Sequence, residues 1–344
     1  MKLAHTADIH LTDNSDIEAL NLIIKAAESS GCSHLLIAGD LFDSDRAGRS
    51  LVRAASGALS RFSGGVWIVP GNHDRDIGSY LFADNVKVFT SIERVSIDGL
   101  SLLAVPFAEN RSLYDLIVDG LVKREPGRTI ALMHGTYRGS SGDNYFPVRP
   151  GDIERLGLEY AALGHYHLSF IDKRKGGTAA NPGSPRVTRD SDYGRRKFYV
   201  YDTETSLVEE VFLDLPYREY VDIPVNYSMK SEDILSAVEK SIDNIDLKSA
   251  RKCGLKLRIA LSGYWMLTDE EQNGLFEKIV IFCAGCGAEP EIRVDGISVI
   301  DESIFNSSAV NSLLSKIEAS GGDEAPQLKE FAVRLISDIH NKRL

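Results

Sequence analysis

The chain has 344 residues, of which 43% are hydrophobic and 26% charged, and a net charge of −11. That apolar content excludes a disordered chain and suffices for one large or two medium domains with their own cores. The acidic total excludes nucleic-acid binding through the overall field, so any such contact has to come from local basic surface.

Short apolar runs at Lys2–Thr6, His34–Ala38, Val66–Val69, Leu102–Val105, Thr129–Met133 and Tyr160–Leu163 read as strands. Between the first two, Asp16–Ser30 places Ile17, Leu20, Ile23, Ile24 and Ala27 on one helical face, and Gly31 stops the helix. Continuous apolar strands alternating with helices predict a sheet covered on both faces, hence a layered α/β core. From Phe170 to Asp202 the chain turns to Gly, Pro and strand-like stretches such as Lys197–Tyr201, which suits a finishing β-edge. A boundary is expected at 205–217. Beyond it, Arg218–Val225, Leu255–Leu261 and Glu291–Ile300 read as strands, and Ser231–Ile245 as a helix capped by Ser231. Thr268–Cys283 reads as a helix opened by a capping box. The expected layout is a catalytic domain over 1–210, a small α/β domain over 217–302, and a tail over 303–344 ending in a helix, Gln327–Lys342.

No run approaches the roughly 18–20 apolar residues of a membrane span, and the N-terminus, MKLAHTADIH, lacks the apolar stretch of a signal peptide. Four cysteines (Cys32, Cys253, Cys283, Cys286) are too few for a disulfide scaffold. The expectation is a cytoplasmic protein. Cys283 and Cys286 have metal-like spacing, but one such pair at a helix end suits buried thiols better.

The chemistry lies where the strands end. The first runs into Asp8-Ile9-His10, the second into Gly39-Asp40-Leu41-Phe42-Asp43, the third into Gly71-Asn72-His73-Asp74. His134-Gly135 and Gly164-His165-Tyr166-His167 close the series. Sites in parallel α/β sheets form outside the carboxyl ends of strands, so the five segments can converge. A gathering of Asp, Asn and His without thiols suits Mn²⁺, Fe or Zn. One ion needs three or four ligands; this set fills two ions sharing one carboxylate, with Asp40 the candidate bridge. His73, beside Asp74, is placed to donate a proton or a hydrogen bond to the reacting group. Each short motif alone is commoner as a plain turn. His5, His34 and His340 carry no motif and read as structural or surface residues.

In this order the motifs DIH, GDLFD, GNHD, HG and GHYH resemble the calcineurin-like metallophosphoesterase superfamily over roughly residues 1–200. The resemblance implies a four-layer sandwich holding two divalent ions, Mn²⁺ foremost, with Fe, Mg or Zn as alternatives. It further implies Asp8, His10, Asp40 and His167 on one ion, Asp40, Asn72, His134 and His165 on the other, and His73 and Asp74 as the catalytic pair. The opening His5-Thr6-Ala7-Asp8-Ile9-His10-Leu11, the stretch Tyr160–His167 and the turn Asn181-Pro182-Gly183-Ser184-Pro185 are similar to the Mre11/SbcD DNA-repair nucleases. That branch implies a Mn²⁺-dependent exonuclease and endonuclease acting in double-strand-break repair, a capping domain that helps select DNA structure, and a coiled-coil ATPase partner of the Rad50/SbcC type. Position 43 is Asp where archaeal and eukaryotic members carry His. The segments Ser44–Gly64 and Arg75–Asn85, which build the homodimer in that branch, are short here, as is the tail that would dock the ATPase.

Residues 171–200 carry eight basic side chains against three Asp, so Lys173, Arg174, Lys175, Arg186, Arg189, Arg195 and Arg196 are the candidate DNA contacts beside the metal crevice. A second basic cluster, 248–258, would meet the duplex from the other side. The alternative reading is a phosphoesterase for small phosphodiesters or phosphoproteins.

Overall fold

The computed structural model describes residues 1–140, 144–226, 228–243, 245–265, 267–299, 307–319, 328–329, 331–333 and 335–336. They divide into two compact units, Met1–Tyr217 and Arg218–Leu344. His340 and most of the expected terminal helix lie outside the described residues. Among those described, no helix is long and apolar enough to cross a membrane.

The first unit is built on two six-stranded sheets. One contains β1 (Lys2–Thr6), β2 (His34–Ala38), β3 (Gly65–Val69), β4 (Val86–Val88), β11 (Lys197–Asp202) and β12 (Leu207–Phe212), in the order β12-β11-β1-β2-β3-β4. The other contains β5 (Glu93–Ile97), β6 (Leu100–Val105), β7 (Thr129–His134), β8 (Leu158–Gly164), β9 (Phe170–Arg174) and β10 (Gly177–Asn181), in the order β5-β6-β7-β8-β10-β9. Helices α1 (Ile17–Ser29) and α2 (Asp45–Leu59) cover the outer face of the first sheet, where Leu20, Ile23, Leu51 and Ala55 pack against Leu35 and Ile37. Helices α3 (Leu113–Val118) and α4 (Pro150–Leu156) cover the second, Leu113, Leu116 and Ile153 meeting Leu103, Ala131 and Met133. Leu36, Leu102, Leu132, Tyr160 and Tyr199 fill the space between the sheets. The result is a four-layer α/β sandwich: the strand pattern predicts the layered core, and the family resemblance implies the four layers. Strands buried on both faces have no polar side to alternate with, which is why they read as continuous apolar runs.

His5 lies in that inner layer, fully buried. Its Nε2 donates to the Leu163 carbonyl at 3.0 Å, since a carbonyl only accepts, and its Nδ1 faces the Tyr160 hydroxyl at 2.7 Å. Burial pushes its pKa down to about 3 against the opposing pull of the Leu163 bond, so the ring is a satisfied neutral group of the core.

Among the elements outside the expected set, two stand out: β5, which pairs with the expected strand β6, and α2. Strands β5 and β6 form a hairpin turning on Asp98 (φ 46°) and Gly99 (φ 84°), a two-residue turn whose positive φ values suit an Asp-Gly pair. Helix α2 is the other; it is opened by Ser44, whose hydroxyl accepts from the Ala47 amide at 3.3 Å.

The second unit has a three-stranded sheet, β13 (Tyr217–Val225), β14 (Leu255–Trp265) and β15 (Ala288–Val299), in the order β13-β14-β15 with β14 and β15 parallel. Helices α5 (Ser231–Ile242), α6 (Leu247–Cys253), α7 (Asp269–Cys286) and α8 (Ser308–Ala319) complete it. The expected helix over 231–245 ends earlier, and its N-cap is Lys230 rather than Ser231. Thr268 and Glu271 do form the capping box of α7. Cys253 and Cys283 are buried thiols and Cys286 is half-buried.

Candidate metal centre

Strands β1, β2 and β3 run parallel in the first sheet, and β7 and β8 run parallel in the second. Asp8 and His10 follow β1, Asp40 follows β2 and Asn72 follows β3. His134 ends β7, and His165 and His167 follow β8. All seven side chains thus come from the carboxyl ends of adjacent strands in facing sheets. The backbone is bent to present them: Asp8 (φ 52°), His10 (φ 49°), Asp40 (φ 51°) and His165 (φ 97°) are left-handed residues with side chains. Such conformations cost on the order of 1–3 kcal/mol each and persist where the surrounding structure imposes them. Two glycines allow the sheets to close here. A Cβ on Gly39 would lie 2.2 Å from His134 Nδ1, and one on Gly164 would lie 1.9 Å from the Ala38 carbonyl oxygen.

Three sets of ligand atoms lie within 4.8 Å of one another: Asp8, His10 and His167; His10, Asp40 and His73; Asp8, Asp40 and His134. Asp8, His10 and Asp40 each belong to two of these sets, and of the two carboxylates Asp40 has an oxygen facing two imidazoles. Its Oδ2 lies 3.7 Å from His10 Nε2 and 3.4 Å from His134 Nε2, while its Oδ1 accepts from the His73 amide at 2.9 Å. That is the position of a shared carboxylate. His134 donates from Nδ1 to the Ala38 carbonyl at 2.9 Å, which leaves Nε2 as a lone pair; it faces Asn72 Oδ1 at 3.0 Å. His165 Nδ1 lies 3.2 Å from the same oxygen.

These residues fit a pair of divalent ions. His134 Nε2 and Asn72 Oδ1 are both acceptors and gain nothing from each other, but a cation satisfies both. His10 is 2% exposed; its Nδ1 lies 3.3 Å from Asp43 Oδ1 without hydrogen-bond geometry, and its Nε2 has no hydrogen-bond partner. Burial, and then the Asp40 charge, push the Asp8 carboxyl well above its usual range, although the His165 amide opposes this. Two buried carboxylates in repulsion, lone pairs aimed at one another and a buried imidazole nitrogen without a hydrogen bond all call for positive charge. The donors are nitrogen and oxygen throughout.

His73 is half-buried beside this group, its ring 4.8 Å from that of His10. It donates from Nδ1 to the Asp43 carbonyl at 2.9 Å, so Nε2 is the nitrogen left for substrate. Asp74 does not share that role. It is fully buried, and its oxygens accept from the Gly71 amide at 2.8 Å and the Phe42 amide at 3.2 Å. Burial and the Asp40 charge raise its pKa to about 7 despite those bonds. The expected catalytic partner is therefore a positioning residue that ties the β2 loop to the β3 loop.

Asp192 and Thr188 were not among the expected site residues. His167 Nδ1 lies 2.9 Å from Thr188 Oγ1 and 3.3 Å from Asp192 Oδ2. Asp192 is fully buried and accepts from the Thr188 amide, the Thr188 hydroxyl and the Arg189 amide at 2.8–2.9 Å. Burial works against its charge, but these bonds and His167 prevail and hold the carboxyl far below its usual range. A carboxylate behind a ligand imidazole fixes the tautomer that points Nε2 inward. The only signal was an Asp twenty-five residues downstream of His167 in a basic stretch, which spacing alone does not single out. Asp192→Ala should weaken metal binding about 10–100-fold while leaving the fold intact, as read by metal titration alongside circular dichroism.

The basic candidates scatter. Arg186 donates to the Ile9 carbonyl at 3.2 Å and the His10 carbonyl at 2.6 Å and pairs with Asp16, so it braces the β1 loop. Arg196 is 3% exposed and donates to the carbonyls of Ser184, Tyr193 and Gly194. Both are structural residues, a correction to their expected role. Lys173, Arg174 and Lys175 are exposed, but register places them at the opposite end of the second sheet: Lys173 pairs with Thr178, which is level with Tyr160 near the start of β8. Arg195 lies over the Phe212 ring at 4.4 Å. Only Arg189 is exposed and near enough to the centre to act on the Asp8 charge. In the second cluster, Arg258 pairs with Glu291 at 3.0 Å and Lys256 with Glu289 at 3.6 Å, which neutralises much of it.

Comparison with known proteins bears on the whole arrangement. The chain is 24% identical over 343 residues to the uncharacterized metallophosphoesterase YhaO of Bacillus subtilis, covering 87% of this chain and 81% of that protein. It is 23% identical over 277 residues to the DNA double-strand break repair protein Mre11 of Methanocaldococcus jannaschii, covering 70% of this chain and 74% of that one. Among solved structures, a protein from Thermus thermophilus, TT1561, aligns with a TM-score of 0.42 and 14% identity over 61% of this chain and 98% of that chain. Residues 1–206 match the calcineurin-like phosphoesterase superfamily domain, whose members bind two divalent metals. The chain belongs to that superfamily, the calcineurin-like phosphoesterases.

Proposed function

We propose that this metallophosphoesterase is a DNA nuclease of the Mre11/SbcD kind, a Mn²⁺-dependent 3′–5′ exonuclease and single-strand endonuclease acting in double-strand-break repair. The observation that carries the reading is the reach of the likeness. The family domain ends at residue 206, yet the similarity to Mre11 takes in 70% of the chain and so continues beyond that domain. The NPGSP turn adds support, because Gly183 packs against the ligand loop. A Cβ there would lie 2.5 Å from the His167 carbonyl oxygen.

Asp8, His10, Asp40 and His167 would hold one ion, and Asp40, Asn72, His134 and His165 the other. The ions supply Lewis acidity, drawing charge from phosphoryl oxygens and acidifying water. The chain's own residues do the rest. Asp40, fixed by the His73 amide, sets the spacing of the two groups. His134 and His167 are held in one tautomer by Ala38 and by Thr188 with Asp192. His73, its Nδ1 engaged by Asp43, gives a proton or hydrogen bond from Nε2 to the phosphate or leaving oxygen. Arg189 is the residue best placed to meet a neighbouring phosphate. A coiled-coil ATPase partner, a homodimer and a cytoplasmic setting belong to the same reading.

Turnover of small phosphodiesters is the second reading. It is favoured by the observation that Arg196 is buried, that Arg186 spends its donors on the Ile9 and His10 carbonyls and Asp16, and that Lys173, Arg174 and Lys175 lie toward the far end of the second sheet. Purified protein with Mn²⁺ decides between them. Degradation of blunt and hairpin duplex ends and nicking of single-stranded circles is expected. Turnover of a p-nitrophenyl phosphodiester with both DNA substrates intact would leave the second reading standing.

A further inference from the structure

The rim of the metal centre on the Asn72 side carries a cation that lies outside the stretches of high basic density, Arg75. It follows Asn72 by three residues, and its side chain is 52% exposed. Its Nε donates to the Asn72 carbonyl at 3.4 Å, so the guanidinium is anchored on a candidate ligand residue itself. The guanidinium carbon lies 5.5 Å from the centre of the Phe107 ring. That ring in turn stands edge to face against His134, another candidate ligand, with ring centres 6.1 Å apart. The main chain beneath is fixed as well: the Asp76 amide donates to Asp45 Oδ1 at 3.0 Å, and the Phe107 amide to the Pro70 carbonyl at 3.3 Å. Arg75 is thus held beside Asn72 and His134, whereas Arg189 acts on Asp8.

What holds the guanidinium leaves part of it unused. Nη1 donates to Glu109 Oε2 at 2.8 Å, and Nη2 makes no hydrogen bond among the described residues. Both side chains of this pair are exposed, and an exposed ion pair adds little to stability, so bracing the fold does not account for it. A planar guanidinium lying on an aromatic face is instead the group that grips a phosphate through paired N–H donors. Glu109 engages one of those donors, and a phosphate oxygen competes for it.

We infer that Arg75, on its Phe107 shelf, is a subsite for a second phosphate, the one next to the scissile phosphate in a nucleotide strand. Glu109 is the internal counter-charge that this phosphate displaces. The inference rests on the nuclease reading for its substrate and adds to it: esters that carry more than one phosphate are favoured over single phosphodiesters, a choice the metal ligands alone do not impose.

Binding tests this without turnover, on the full chain carrying His73→Ala and supplied with Mn²⁺. Fluorescence anisotropy follows a labelled tetrathymidylate, and calorimetry follows TMP. The tetrathymidylate should bind at least about tenfold more tightly than TMP. Arg75→Ala should weaken the tetrathymidylate about fivefold or more and leave TMP and Mn²⁺ binding as they were. It should also reduce the slope of log affinity against log salt by about 0.7, the share of one phosphate on a single strand. Arg75→Lys should keep the slope, because the charge remains. Glu109→Gln should tighten tetrathymidylate binding in the Arg75 chain and leave it unchanged in the Arg75→Ala chain. Equal affinity for tetrathymidylate and TMP overturns the subsite. So does an Arg75→Ala chain with unaltered affinity and slope, or one that loses TMP in step with the tetrathymidylate. Cleavage is read separately: a chain with the Arg75-dependent preference that cuts no DNA counts against the nuclease reading alone.

Discussion

Replacing His73 with alanine should lower cleavage by on the order of 10²–10³-fold while metal binding stays close to wild type. The geometry explains why the two effects separate. The His73 ring donates to the Asp43 carbonyl rather than to a ligand, and its backbone amide, which alanine keeps, holds Asp40 Oδ1 at 2.9 Å. Truncation therefore removes Nε2 from the reacting group without releasing the shared carboxylate. The check is Mn²⁺ titration by calorimetry beside initial rates on one substrate. A variant that loses metal in step with activity would make His73 a ligand rather than a proton donor.

Asp40→Ala should behave in the opposite way and more severely. Its Oδ2 stands between His10 and His134, so removal takes an oxygen that faces both imidazoles and half of the buried Asp8–Asp40 charge. Metal affinity should fall by more than the about 10–100-fold expected for losing a partner of a ligand such as Asp192, and cleavage should drop at least about 10³-fold. Metal analysis after dialysis gives the stoichiometry directly. Retention of two ions would place the shared carboxylate elsewhere, with Asp8 next in line.

The core strands, and the meeting of the candidate ligand side chains at their ends, were legible for one reason. A strand buried on both faces is apolar throughout, so the first polar residue after it marks the carboxyl end, where parallel sheets place their chemistry. Asp8, Asp40, Asn72 and His134 all follow that rule. Residues that act through long-range partners were not legible. Asp74 looks like a catalytic neighbour of His73 in one dimension, and only its bonds to Gly71 and Phe42 show it tying loops together. Asp192 reaches His167 because the loop after the NPGSP turn folds back. Charge density misled for a similar reason: Arg186 and Arg196 sit in a basic stretch but spend their donors on backbone carbonyls. The Asp98-Gly99 pair is a short-range hairpin signal, yet β5 was not among the expected strands.

The candidate donors are divided between the halves of the sandwich, with Asp8, His10, Asp40 and Asn72 following strands of one sheet and His134, His165 and His167 at the ends of strands of the other. Cation affinity therefore gauges how well the halves are seated on each other. Any ion that enters only the closed form adds to the resistance of the sandwich to opening in proportion to the logarithm of its concentration. The reverse holds as well: trimming Leu132 or Tyr160 deep between the sheets, where no substrate reaches, would loosen the clasp and show up first as weaker metal retention.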